Sequence, residues 1–132
     1  MKRLKITLSP LTVVFAAGIL LFLDGKAFLI YWVSILLHEY AHHLAALRFG
    51  LCMDEIRLYP FGAVLYGELH RLNCLQEIIV ALAGPLFNLF LAVVFTALWW
   101  MAPEIYVWTD VVVMANTSLA LFNLLPLYPL DG

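Results

Sequence analysis

The sequence predicts an all-α polytopic membrane protein with about four transmembrane helices and a short membrane-associated β-hairpin between the second and third. Three observations carry that expectation. Of 132 residues, 65% are hydrophobic and only 12% charged, whereas a soluble domain has roughly half its residues apolar and about a quarter charged. The apolar residues fall into four long runs, 8–23, 27–47, 75–101 and 106–125. Lysine and arginine are shared unequally between the stretches that separate those runs.

The first run follows a start carrying Lys2, Arg3 and Lys5, and it is broken by Pro10 and Gly18. Its sixteen positions rise about 24 Å, short for a hydrocarbon core of about 30 Å. A charged start before an apolar run also suits a signal peptide. Asp24-Gly25-Lys26 follows it, however, and not a small-residue cleavage site, so a first membrane helix is expected. The second run, 27–47, is long enough to span. It contains small residues four apart, Ala41 with Ala45 and Ala46 with Gly50, a spacing that lets membrane helices approach closely.

Between residues 48 and 72 the pattern changes. Two short strand-like stretches within 56–69 are split by Pro60-Phe61-Gly62, which predicts the hairpin. The third run, 75–101, holds Ala83-Gly84-Pro85, where proline removes a backbone donor and glycine leaves room for a neighbour. Trp99 and Trp100 suit an interfacial aromatic belt. The fourth run, 106–125, ends before Pro126 and Pro129, and it carries Asn116 and Asn123 on one stripe with Ala120 between them.

Six basic residues (Lys2, Arg3, Lys5, Arg48, Arg57 and Arg71) fall on one side of this arrangement and only Lys26 on the other. That asymmetry places the N-terminus, the 48–71 segment and the C-terminus in the cytoplasm of a multi-pass cell-membrane protein. With a net charge of −2 and no basic block, nothing points to nucleic acid. Cys52 and Cys74 fall on the cytoplasmic side, lack a paired spacing and are expected to stay reduced.

Chemistry concentrates in the second run, at His38-Glu39-Tyr40-Ala41-His42. Histidines four apart on a helix share a face and can bind one metal ion, and Glu39 beside them can work on a water without being a ligand. An ionisable residue at the centre of a membrane helix costs roughly 2.5 to 3.5 kcal/mol. A divalent cation offsets that cost for an imidazole pair. The bland alternative is a polar helix–helix contact or an ion-conducting polar stripe. His42 lies six residues from Arg48, about 9 Å of rise, so the metal site falls inside the bilayer toward the cytoplasmic face.

The expected third ligand is Asp131, which follows the fourth run at its cytoplasmic end, where Pro126 and Pro129 can turn the chain back. Two histidines and a carboxylate leave the fourth position of a zinc ion open to water. Glu68, Glu77, Glu104 and Asp110 are at the interface or on the far side, and His43 is turned about 100° from His42. Ligand types alone do not separate one Zn2+ from cobalt or iron. Asn88 and Asn123 are either interhelical hydrogen-bonding groups or donors to an unwound substrate backbone or a developing oxyanion.

Three stretches, His38-Glu39-Tyr40-Ala41-His42, Ala83-Gly84-Pro85-x-x-Asn88 and Asn123-x-x-Pro126-x-x-Pro129-Leu130-Asp131-Gly132, together resemble the site-2 protease family of intramembrane zinc metalloproteases. Leu58-Tyr59-Pro60-Phe61-Gly62 looks most like the branch of that family acting in sporulation. The resemblance implies zinc on His38, His42 and Asp131, with Glu39 activating water. It also implies a membrane-associated protein substrate cut within or near the bilayer, a pro-sigma factor in the sporulation branch, and leaves room for an inhibitory membrane partner. The expectation is a single metalloprotease core over 1–132. Family members continue beyond the Leu-Asp-Gly segment, so a C-terminally truncated fragment is expected too. The competing expectation is a non-proteolytic membrane protein with a structural metal site or an ion-conducting stripe.

Overall fold

A computed structural model describes residues 5–8, 10, 24–51, 53–59, 62–67 and 72–125. In chain order the elements are strand β1 (Lys5–Leu8), helix α1 (Gly25–Arg48), strands β2 (Met53–Tyr59) and β3 (Gly62–Gly67), helix α2 (Cys74–Met101), a 3-10 turn (Pro103–Ile105) and helix α3 (Tyr106–Asn123).

Helices α1 and α2 carry their own start and stop signals. At the head of α1, the Asp24 carboxylate accepts from the Lys26 backbone N–H at 3.4 Å. At its tail, Gly50 takes a φ of 75°. There Gly50 N donates to Leu47 O at 3.0 Å, and Leu51 N to Ala46 O at 3.2 Å. This is the Schellman closure, and its accompanying apolar contact, Leu51 on Ala46, extends to Val80 of α2. Helix α2 opens on a capping box, with Gln76 N donating to Asn73 Oδ1 at 2.9 Å and Asn73 N to Gln76 Oε1 at 3.1 Å. It stops at Ala102 before Pro103.

The three helices pack on one another with α2 against both α1 and α3. Helices α1 and α2 are antiparallel, because Val80 meets Ala46 and His42, whereas Gly84, a turn later, meets His42 and His38. The interior is made of small and polar groups: the largest fully buried side chains are Asn88, Asn116, Thr109 and Pro85. Large apolar residues face outward, such as Phe90 (59% exposed) and Val93 (68%). Small residues and hydrogen-bonding groups inside, with leucines and aromatics outside, is the distribution that a lipid solvent imposes. At one end of the bundle Trp99 packs on Tyr106 with ring centroids 5.4 Å apart, and the Lys26 ammonium sits 5.1 Å from the Trp108 ring. Amphipathic rings of this kind suit a membrane–water boundary.

The expected fold class needs correction. Among the described residues there are three α-helices, and two of them, not about four, are long and apolar enough to cross a membrane. Those two spans are Cys74–Met101, with a mean hydropathy of 2.5, and Pro103–Asn123, with 1.4. Helix α1 has the length but carries His38, Glu39, His42 and His43 along it. The expected first helix, 8–23, lies outside the described residues except for Leu8 and Pro10, and Leu8 closes a strand. An isolated hairpin over 56–69 is replaced by a three-stranded mixed sheet in the order β1-β2-β3. In it β1 runs parallel to β2, from Lys5 beside Glu55 to Leu8 beside Leu58, and β2 pairs antiparallel with β3, with an irregularity between Met53 and Glu55. The alternating Lys-Ile-Thr-Leu of β1, with two β-branched residues, suits a strand better than the head of a helix.

Candidate metal centre

The helical repeat places His38 and His42 on the buried face of α1, 3% and 5% exposed. Their rings meet edge to face, with centroids 4.7 Å apart and planes at 79°. The two Nε2 atoms face each other at 3.1 Å. His42 Nδ1 lies 2.7 Å from the carbonyl oxygen of Val80. A carbonyl only accepts, so Nδ1 carries the proton and the Nε2 lone pair of His42 points toward His38. A tetrahedral zinc ion holding two nitrogens at 2.0–2.1 Å keeps them roughly 3.3 Å apart. The observed separation is within a few tenths of an ångström of that bite, and the buried carbonyl on the other nitrogen is the usual support for a metal-binding histidine.

Gly84 makes the space. A Cβ at this position would stand 2.7 Å from His38 Nε2 and closer still to His42 Nε2. The chain therefore needs glycine here so that the α2 backbone can lie against the imidazole pair. Glu39, one residue around from His38, is buried at 7% exposure. His43 is half-buried on another face and packs against Tyr40, with centroids 6.1 Å apart.

One turn beyond Gly84, Asn88 is 0% exposed, and neither its Nδ2 nor its Oδ1 has a hydrogen-bonding partner among the described residues. Asn123 is half-buried at the end of α3, and its Nδ2 donates to Leu119 O of its own helix at 3.0 Å. Asp131 and the two prolines before it lie outside the described residues, as do Glu68, His70 and Cys52. Among the described residues no three metal-ligating side chains gather at one point. Glu77, Glu104 and Asp110 are exposed, away from the histidine pair.

Two supporting groups escaped the sequence reading. The Val80 carbonyl carries no side-chain signal at all. Ser34, a turn before His38, accepts a hydrogen bond from Asn116 Nδ2 at 3.1 Å, and its spacing from His38 was readable.

The fold and the buried pair thus define a helical membrane protein with two imidazoles facing each other in its interior. The family model described as peptidase family M50 matches residues 26–112. Stage IV sporulation protein FB of Bacillus subtilis is 35% identical, over 98% of this chain and 45% of its own length. A zinc metalloprotease of Methanocaldococcus jannaschii is 28% identical, over 80% of this chain and 31% of its own. Among solved structures, the site-2 protease from the same archaeon shares the fold, with a TM-score of 0.74 and 24% identity, over 100% of this chain and 66% of that one. The chain belongs to peptidase family M50, the site-2 proteases. It spans less than half the length of the two curated relatives named here.

Proposed function

We propose that the chain carries the zinc-binding half-site and the general base of an intramembrane metalloendopeptidase, with membrane-associated proteins as substrates. The observation that carries this reading is the 3.1 Å approach of His38 Nε2 and His42 Nε2 under a glycine backbone, with one imidazole already oriented by a main-chain carbonyl. His38 and His42 would hold the ion with Asp131 as the third ligand. When bound, zinc supplies a Lewis acid that polarises a carbonyl and makes a water nucleophilic near neutral pH.

Glu39 takes the proton of the attacking water and returns it to the leaving amine. Asn88 offers a buried, unpaired amide N–H to a carbonyl oxygen as it gains charge. Asn123 contributes to holding the substrate backbone once its amide leaves the Leu119 carbonyl. The likeness to a sporulation protein supports a pro-sigma factor as the substrate class. The basic residues at 2, 3, 5, 48, 57 and 71 support an arrangement in which the N-terminus and the Arg48 end of α1, with the metal site near it, lie toward the cytoplasm.

The test is Glu39→Gln in the full chain. It should keep zinc at the wild-type stoichiometry and lose cleavage of a co-expressed, membrane-tethered substrate. Persistent cleavage would remove Glu39 from the reaction and favour a structural role for the metal.

A further inference from the structure

Ser34, His38 and His42 lie at successive turns of one buried face of α1. On α2, Asn88 follows Gly84 by one turn, and Gly84 lies against His38. Because α1 and α2 are antiparallel, a turn back from His38 and a turn on from Gly84 lead the same way, about 6 Å along the bundle. Ser34 and Asn88 therefore come to one level. From α3, Asn116 Nδ2 donates to Ser34 Oγ at 3.1 Å. Each helix thus contributes one polar side chain to this level, and none of the three is more than 3% exposed.

The hydrogen-bonding capacity of the cluster is only partly used. Asn116 Nδ2 also donates to Val112 O at 2.9 Å. A carbonyl only accepts, so the amide is fixed with its Oδ1 on the other side. That Oδ1 has no partner among the described residues, and neither atom of the Asn88 amide has one. The Ser34 hydroxyl accepts from Asn116 and still has a hydrogen to give. Thr96 and Thr109 spend theirs on their own helices, on Ala92 O at 2.7 Å and Ile105 O at 3.2 Å. Ser34 makes no such bond among the described residues.

The chemistry of these groups dictates what pairs with them. One donor (Ser34 O–H) and two acceptors (Asn116 Oδ1 and Asn88 Oδ1) call for a small neutral group that accepts once and donates twice. Water does both, and three hydrogen bonds are the usual complement of a buried water. The buried apolar residues nearest in sequence on α2 and α3 are alanines, Ala92, Ala115 and Ala120, which leave space that leucines would take. We propose that Ser34, Asn116 and Asn88 hold a water molecule inside the three-helix bundle, and that this water fixes the Asn88 amide with Oδ1 toward it and Nδ2 toward the histidine pair. Ser34 and Asn116 are then positioning residues for the donor that Asn88 offers, a role that rests on the oxyanion reading proposed above. The water is held and not consumed.

Two measurements on the full chain test this. A crystal structure that resolves ordered waters should show one peak within hydrogen-bonding distance of Ser34 Oγ, Asn116 Oδ1 and Asn88 Oδ1. Those atoms without a shared peak, or bonded directly to one another, would overturn the site. Cleavage of a membrane-tethered substrate in detergent reads the positioning role. Ser34→Ala and Asn116→Leu should each lower kcat about tenfold at unchanged KM, less than the 10²- to 10³-fold expected when an oxyanion donor is lost outright. Ser34→Thr, which keeps the hydroxyl, should retain kcat, and far-ultraviolet circular dichroism checks that each variant folds. In an Asn88→Leu background neither change should reduce kcat further. Unchanged kcat in Ser34→Ala, or an equal loss with and without Asn88, would overturn the positioning role. If Asn88→Leu itself leaves kcat unchanged, the oxyanion reading fails and the positioning role with it, while the crystallographic peak still decides the water site.

Discussion

His42 donates its Nδ1–H to the main-chain carbonyl of Val80 at 2.7 Å, so a residue of α1 is oriented by the backbone of α2. One turn further along α2, Gly84 lies against the same ring and against His38. The two contacts act together. The carbonyl fixes which nitrogen is free, and the missing side chain keeps open the space in front of it. Backbone groups cannot drift as side chains do, which suits a site buried between helices, where replacement hydrogen bonds from water are scarce.

Gly84→Ala should therefore damage the centre more than any other one-carbon change in α2. The added methyl overlaps both Nε2 atoms, and these belong to rings fixed within a packed interface. Zinc affinity is expected to fall by roughly tenfold or more, with helix content unchanged because alanine is the better helix former. Zinc content after gel filtration, read beside circular dichroism, checks both. A fully loaded Gly84→Ala protein would show that the helices can part at no cost to the site.

The two adjacent histidines should separate cleanly. His42→Ala removes a buried ring that faces His38 and is expected to abolish zinc retention. His43→Ala removes a half-buried ring stacked beside Tyr40 and should keep zinc affinity within about twofold, the usual scale for a substitution away from a site. Parallel zinc titrations of the two variants decide the matter, and comparable losses would mean that His43 turns toward the metal.

Much of the centre was legible because it depends on helical spacing. His38 and His42 share a face by arithmetic, and Gly84 before Pro85 already signalled a close neighbour. Asn88 was singled out as a polar residue in an apolar run and as part of Ala83-Gly84-Pro85-x-x-Asn88, and neither feature could tell an interhelical hydrogen bond from a donor to the substrate backbone or a developing oxyanion. The mixed sheet was less legible. Pairing of Lys5–Leu8 with β2 joins segments separated by the whole of α1, and strand partners that distant leave no local pattern. The count of about four spans is not confirmed: 8–23 lies almost wholly outside the described residues, and the polar groups that make α1 chemically interesting also lower its hydropathy.

Asn88 offers a case where stability and activity should move apart. Both polar atoms of its amide are buried without partners, so Asn88→Leu, of the same branching though bulkier, relieves a desolvation cost of about 1–3 kcal/mol. The thermal midpoint in detergent should hold or rise. Cleavage should fall by about 10²- to 10³-fold, the loss expected when a donor to a developing oxyanion is removed. Asn123→Leu, whose amide is already held by Leu119 O, should lose less. A lowered midpoint with intact turnover in Asn88→Leu would make the amide a packing group and nothing more.

On the proposed function, metal removal should abolish cleavage without unfolding the chain. The two Nε2 atoms stand at hydrogen-bonding distance, so without an ion an N–H of His38 can donate to the free nitrogen of His42. Helices α1 and α2 have their own caps, and the bundle packs through small-residue interfaces, so the fold should not depend on the ion. Stripping with a strong chelator should therefore abolish cleavage and lower the stability only by the linkage term, about 2.7 kcal/mol at a zinc concentration one hundred times Kd. Far-ultraviolet circular dichroism should stay helical, and adding back zinc should restore turnover without a refolding step. Loss of helicity on stripping would instead place the ion among the elements that hold α1 and α2 together.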